Sequence, residues 1–129
     1  MNFQFKTVAI ATSIVAFAIA TILFVQPQLI FTLWQVDFSY PTGLVGRRAA
    51  AIFIGIGLML VIARNTEPSL ARSAMEKGMA CTLLLLATLG TFEFVTGHAG
   101  PGILSAVLVE ILLALGFLNA SRHSLISSQ

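Results

Sequence analysis

The stretch GLVGRRAAAIFIGIGLMLVIAR, residues 43–64, places two adjacent arginines, Arg47 and Arg48, directly before a long apolar run. The uncharged residues 49–63 would form about 22 Å of helix, which is shorter than the roughly 30 Å hydrocarbon core of a bilayer. A helix that crosses the bilayer here must therefore begin earlier, near residues 39–42. That start places both arginines inside the apolar layer, where fixed charges are costly.

The composition of the whole chain agrees with a membrane protein. Of its 129 residues, 57% are hydrophobic and 9% are charged, whereas soluble domains carry roughly 25% charged residues. The net charge of +2 is too small to indicate nucleic-acid binding. A single cysteine, Cys81, excludes an intramolecular disulfide and any site built from several cysteines. We predict no nucleic-acid partner, no metal and no cofactor.

Four apolar stretches are long enough to cross a bilayer as helices, and they cover residues 7–25, 41–64, 74–96 and 101–120. They lack the strict apolar/polar alternation of a transmembrane β-barrel. We therefore predict an all-α fold, an integral membrane four-helix transmembrane bundle that forms a single domain over residues 1–129. Lys6 and the Ala18-Ile19-Ala20 pattern also fit a signal peptide, but the apolar run continues to Val25, which favours an uncleaved first span.

The connections carry local signals. Residues 27–36 are expected to form a short interfacial helix between the first two spans, started by Pro27; a kinked extension of the first span is the alternative. Trp34 and Tyr40 favour the headgroup level of the bilayer. Asn65 is expected to close the second span in the left-handed conformation, and Thr66 to cap the third span near residue 67.

The distribution of basic residues predicts the orientation. With four spans, both termini and the second connection share one side, which carries Lys6, Arg64, Arg72, Lys77 and Arg122. The opposite side carries Arg47 and Arg48. An excess of lysine and arginine marks the cytoplasmic side. We therefore predict a multi-pass protein of the bacterial cytoplasmic (inner) membrane, with the N- and C-termini in the cytoplasm.

Spacing along the spans suggests a polar cluster in the outer half of the bundle. Arg48 precedes Arg64 by 16 residues, and Lys77 precedes Glu93 by 16, so both pairs span about 24 Å of helix. We expect the second and third spans to be antiparallel neighbours, because a short connection joins them. If Arg64 and Lys77 lie near the cytoplasmic boundary, Glu93 then lies at the depth of Arg48. We predict an ion pair between Glu93 and either Arg47 or Arg48. Arginines that snorkel to the interface are the structural alternative, and a ligand or proton site is the functional one.

Glu110 completes this candidate cluster, because it interrupts the middle of the fourth span. A carboxylate at that depth cannot reach the interface easily. It must be paired, be protonated or face a partner subunit. The candidate polar or ligand cluster therefore consists of Arg47, Arg48, Glu93 and Glu110.

Pro27 after the first span, together with the stretch GLVGRRAAAIFIGIGLMLVIAR, is similar to the small four-helix bacterial membrane proteins grouped as DoxX-like and related uncharacterised families. The shared pattern is, in order along the chain, an arginine, a small residue, an apolar run that contains glycine, and a final Ala-Arg pair. The resemblance implies a four-helix bundle in the cytoplasmic membrane and no established activity. Some of these proteins are associated with membrane redox or quinone systems, but no residue here would carry that chemistry over.

Three classes of function fit these residues. The favoured one is non-enzymatic: a protein that binds a lipid or another hydrophobic small molecule, or an accessory subunit of another membrane protein. The second is a small transporter or a proton or anion pathway, which would need several copies of the chain because one bundle encloses little space. The third is a membrane enzyme that uses Glu93 or Glu110 as general acid or base. No catalytic set, Walker loop or dinucleotide fingerprint supports it.

Overall fold

The structure is a computed structural model that describes residues 3–126, and it describes side chains from residue 4 to residue 122. Within this range the secondary structure is helical, without a strand. The helices are α1 (Phe3–Val25), α2 (Gln28–Leu33), α3 (Tyr40–Ala63), α4 (Leu70–Val95) and α5 (Ile103–Ile126). All except α2 are long and apolar enough to cross a membrane. The predicted all-α, four-helix membrane bundle is confirmed.

Serine caps define where α3 and α4 begin. Ser39 has extended backbone and its hydroxyl accepts a hydrogen bond from the backbone N–H of Thr42. The hydroxyl of Ser69 accepts in the same way from the backbone N–H of Arg72. Such caps satisfy N–H groups that have no partner within the helix. Because α3 begins at Tyr40, two turns before the arginines, both of them lie within the apolar helix, as the length argument requires.

The predicted connection between the second and third spans is wrong in its details. Asn65 does not adopt the left-handed conformation. Among the residues that the structure describes, Gln35 is the only non-glycine residue with a positive φ. Thr66 does not cap α4, which begins four residues later. Pro68 explains the delay, because a residue that precedes proline is disfavoured in the helical conformation. The α3 end is held instead by Arg64, whose guanidinium donates to the carbonyl of Val61.

The short helix predicted between the first two spans is present, but shorter than residues 27–36. Pro27 occupies the N-cap position of α2, and the chain turns away at Gln35, where φ is 54°. The carbonyl of Trp34 then accepts a hydrogen bond from the backbone N–H of Gly100 at 2.6 Å. This bond ties the α1–α3 connection to the α4–α5 connection. We call this end of the bundle the α2 end and the opposite end the terminal end.

The close helix pairs are α1 with α3, α4 with α5, and α1 with α5. Glycines permit the close approach: an added Cβ would meet Phe17 at Gly57, Val107 at Gly90 and Val8 at Gly116. At the terminal end, side chains from all four long helices form one apolar core around Phe5, Leu60, Leu83 and Phe117. The expectation that the second and third spans are neighbours is wrong, because α3 packs mainly on α1 and α4 mainly on α5.

Candidate functional site

A groove of about 290 Å³ opens at the α2 end, where α1 stops and α3 starts. Pro27 cannot continue α1 because it lacks an N–H group, so the chain turns there into α2. The cap at Ser39 then directs α3 back along α1. The groove lies between these segments and is lined by Val25, Gln26, Pro27, Gln28, Phe38, Tyr40, Gly43 and Arg47.

The lining of the groove combines an apolar wall with polar donors and one positive charge. Among the lining residues, Gln26 and Gln28 carry side-chain amides, Tyr40 carries a hydroxyl and Arg47 carries a guanidinium. No aspartate or glutamate is among the lining residues. Arg47 is exposed and makes neither an ion pair nor a hydrogen bond to another described residue. The groove therefore presents an uncompensated cation with several hydrogen-bonding groups beside it.

Arg48 has a different environment from its neighbour. It is also exposed, but it does not line the groove. Adjacent residues of a helix point about 100° apart, so only one of the two arginines can face this space. Ala51 and Gly55, which lie on the same face of α3 as Arg48, are exposed. Gly46 and Ala50 are buried against α1.

Glu93 does not pair with either arginine, which corrects the predicted ion pair. Its Oε2 lies 3.1 Å from Nδ1 of His98, at the end of α4, and more than four-tenths of its side chain is exposed. The physical reason is the helix arrangement: α4 lies on α5, while the arginines lie on α3, which packs on α1. Equal depth in the membrane did not imply lateral contact.

Glu110 lies on the inward stripe of α5, between Val107 and Ala114, both of which are buried. Its own side chain is partly exposed and forms no ion pair or hydrogen bond with another described residue. The structure thus brings neither arginine to it. The transport alternative depends on this carboxyl, because it is the acidic group of the candidate cluster that interrupts a span.

A buried ion pair at the terminal end was missed by the sequence analysis. Arg72 Nε donates to Glu76 Oε1 at 2.8 Å, and the two side chains are 2% and 0% exposed. The guanidinium also lies over the ring of Phe5, 4.3 Å from its centroid, and donates through Nη1 to the carbonyl of Thr66. One side chain on α4 thereby contacts α1 and the α3–α4 connection.

The pair is incomplete in a specific way. Arg72 Nη2 and Glu76 Oε2 are buried and have no hydrogen-bond partner. Nε and Nη2 form one edge of the planar guanidinium, which matches the two oxygens of a carboxylate in a bidentate pair. One of the two parallel hydrogen bonds is therefore made, and the donor without a partner, Nη2, belongs to the same edge as Nε. A small rotation of the carboxylate, or one bridging water, would satisfy both.

The signal for this pair was present in the sequence as an Arg-x-x-x-Glu spacing, which places two side chains on one helical face. It was missed because Arg72 was assigned to the cytoplasmic connection, and Glu76 lies beside Lys77 in the first turn of the predicted third span. In the structure, Phe5 of α1 covers the guanidinium of Arg72. In the described part of the chain, no three histidine, cysteine, aspartate or glutamate side chains come together as a metal site.

No protein-family model, curated protein sequence or solved structure matches the chain. The resemblance to DoxX-like proteins accordingly stays a prediction.

Proposed function

We propose that this multi-pass membrane protein is a non-enzymatic binding protein that takes a hydrophobic small molecule into the groove at the α2 end. The observation that carries the proposal is the groove itself. Its volume of about 290 Å³ is close to the lower limit of about 300 Å³ for small-molecule pockets. Apolar walls with a few polar groups are the usual lining of such pockets.

The position of the groove supports entry from the membrane. It lies where α1 ends and α3 begins, and Tyr40 at its rim is a residue type that favours the headgroup level. Large apolar side chains near it, including Phe24, Leu44 and Val45, are exposed and fit contact with lipid. A molecule could thus enter sideways from the bilayer while its polar end reaches the groove.

The proposed location is the bacterial cytoplasmic membrane, with both termini in the cytoplasm and the groove at the outer face. The basic residues that favour this orientation belong to the terminal end and include Lys6, Arg72 and Lys77. The groove would then sample molecules that reach the outer leaflet.

The experiment fills the groove without changing its charge. Gly43 lines it, and an added Cβ there would meet the ring of Phe38 at 2.8 Å. Gly55 lies on the same helix with nothing within 4 Å, so Gly55→Leu is the matched control. Native mass spectrometry of protein purified in mild detergent measures the molecules that each variant retains.

We expect wild type and Gly55→Leu to retain the same small molecule and Gly43→Leu to lose it, with similar melting temperatures for all three. Equal retention by all three proteins contradicts binding in the groove. Retention of another protein chain in place of a small molecule would favour the accessory-subunit interpretation.

A further inference from the structure

Arg47 is a positive charge that no described side chain neutralises. By contrast, the guanidinium of Arg72 is paired with Glu76, and that of Arg64 donates to a backbone carbonyl. Arg47 instead borders the groove, whose lining contains no acidic residue. A cation at the edge of an apolar layer is costly when it has no counter-charge. An anionic ligand would supply that counter-charge.

The groups beside Arg47 define the chemistry of such a ligand. Tyr40, Gln26 and Gln28 line the groove beside Arg47, and each side chain carries a hydrogen-bond donor. The planar guanidinium matches the geometry of phosphate and carboxylate oxygens, which it binds through two parallel hydrogen bonds. Several donors around one guanidinium therefore favour an oxyanion with further polar substituents over an uncharged ring or chain.

The depth of Arg47 implies that the ligand also has an apolar part. Arg47 lies seven residues after Tyr40, the first residue of α3, which corresponds to about 10 Å along the helix. If Tyr40 is at the headgroup level, a group bound to Arg47 lies near the border of the hydrocarbon layer. A soluble anion would have to leave water to reach it, whereas a lipid headgroup is already there.

We propose that the groove selects an amphiphile with a phosphate or carboxylate headgroup, which Arg47 binds while the apolar tail remains in the bilayer. The inference rests on the proposed binding function and adds the class of ligand. The volume of about 290 Å³ holds a headgroup and not the tail, so the tail lies along the exposed apolar surface that includes Val25 and Leu44.

The test compares two neighbouring arginines. Arg47→Gln removes the charge of a residue that lines the groove, and Arg48→Gln removes the charge of an exposed residue that does not line it. Phosphatidylglycerol and phosphatidylcholine are titrated separately into detergent-solubilised, delipidated protein, and native mass spectrometry gives the dissociation constants. Glycerol 3-phosphate, added alone, represents the free headgroup.

We expect wild type to bind phosphatidylglycerol more tightly than phosphatidylcholine. Arg47→Gln should weaken phosphatidylglycerol binding by roughly 10- to 100-fold, because charge-assisted hydrogen bonds contribute about 1.5–3 kcal/mol. Arg48→Gln should change it less than about twofold. Arg47→Lys should retain part of the affinity, since it keeps the charge and loses the planar fork. Unchanged melting temperatures show that the variants are folded.

Three results would overturn the inference. Equal losses in Arg47→Gln and Arg48→Gln mean that anionic lipids are attracted by surface charge without a site. Equal affinities for the two lipids, unaffected by Arg47→Gln, exclude headgroup selection while leaving a hydrophobic ligand in the groove. Binding of glycerol 3-phosphate as tight as that of the lipid assigns the site to a soluble anion. Failure of the binding function itself is detected separately, by Gly43→Leu.

Discussion

At the scale of single residues, the environment of a charge cannot be judged from its distance to an apolar run. Arg47 and Arg48 interrupt a predicted span and are exposed. Arg72 and Glu76 lie just before and at the start of another predicted span, and both are buried. Long side chains at a helix end can leave the interior, but groups on the inward face of a covered helix cannot. The depth predicted for the candidate cluster stays a prediction, and the predicted partner of Glu93 was wrong.

The Arg72–Glu76 pair provides the first prediction at this scale. Removing one partner leaves the other charge buried without compensation, which costs about 3–5 kcal/mol. We therefore expect Glu76→Ala to lower the free energy of unfolding by about this amount. Replacing both groups with apolar residues of similar size, Arg72→Met with Glu76→Leu, should cost much less. Unfolding by denaturant in detergent micelles measures each variant.

A double-mutant cycle between the two positions completes that measurement. The cycle uses Arg72→Met and Glu76→Leu alone and together. Strong coupling, with the double variant more stable than either single variant, supports a buried pair. Additive and small effects would mean that both groups reach water. Glu67→Ala, in the exposed connection before α4, is the control and should change the free energy of unfolding by less than about 0.5 kcal/mol.

At the scale of helices and connections, local sequence signals predicted the presence of each helix better than its first and last residues. Pro27 and the serines before α3 and α4 mark the turns where the structure places them. The connection after α3 was misplaced because Asn65 and Thr66 are plausible cap residues, and the effect of Pro68 on its predecessor outweighed them. Close approaches between connections depend on tertiary contacts and carry no such local signal.

Gly102, in the connection before α5, lies against the end of α2. An added Cβ there would collide with the backbone carbonyl oxygen of Leu33. We expect Gly102→Ala to separate the two connections at the α2 end and to lower the free energy of unfolding by about 1–3 kcal/mol. Gly78, exposed within α4 with nothing within 4 Å, is the control. Gly78→Ala should raise the free energy of unfolding by about 0.5–1 kcal/mol.

Denaturant unfolding of both variants gives the comparison directly. The two variants carry the same glycine-to-alanine change, so opposite effects on the free energy of unfolding must come from the different surroundings of the two positions. A stabilising Gly102→Ala would show that the two connections do not touch.

At the scale of the whole molecule, the number and length of the spans followed from hydropathy, but the arrangement of helices did not. Lipid is as apolar as a protein core, so helices that are apolar all round carry little information about which face is buried. Gly57 permits the close approach of α3 to α1, Gly90 that of α4 to α5, and Gly116 that of α5 to α1. The groove was unpredictable for the same reason, because its lining comes from separate segments.

The orientation of the whole bundle remains a prediction from the basic residues. In a Cys81→Ala background, a cysteine introduced at Asn65 reports on the terminal end, and one introduced at Gly97 reports on the α2 end. A thiol reagent that cannot cross membranes should label the second and not the first in intact cells. The reverse labelling would place both termini outside and the groove in the cytoplasm.

The central claim is that the groove at the α2 end holds the headgroup of an anionic amphiphile. The most direct measurement is an experimental structure of wild-type protein purified with its native lipid. We predict density for an elongated molecule that leaves the bilayer beside Gly43 and ends within hydrogen-bond distance of the Arg47 guanidinium. Lipid density confined to other faces of the bundle, with Arg47 turned to bulk water and the groove closed by Phe38, would contradict the claim.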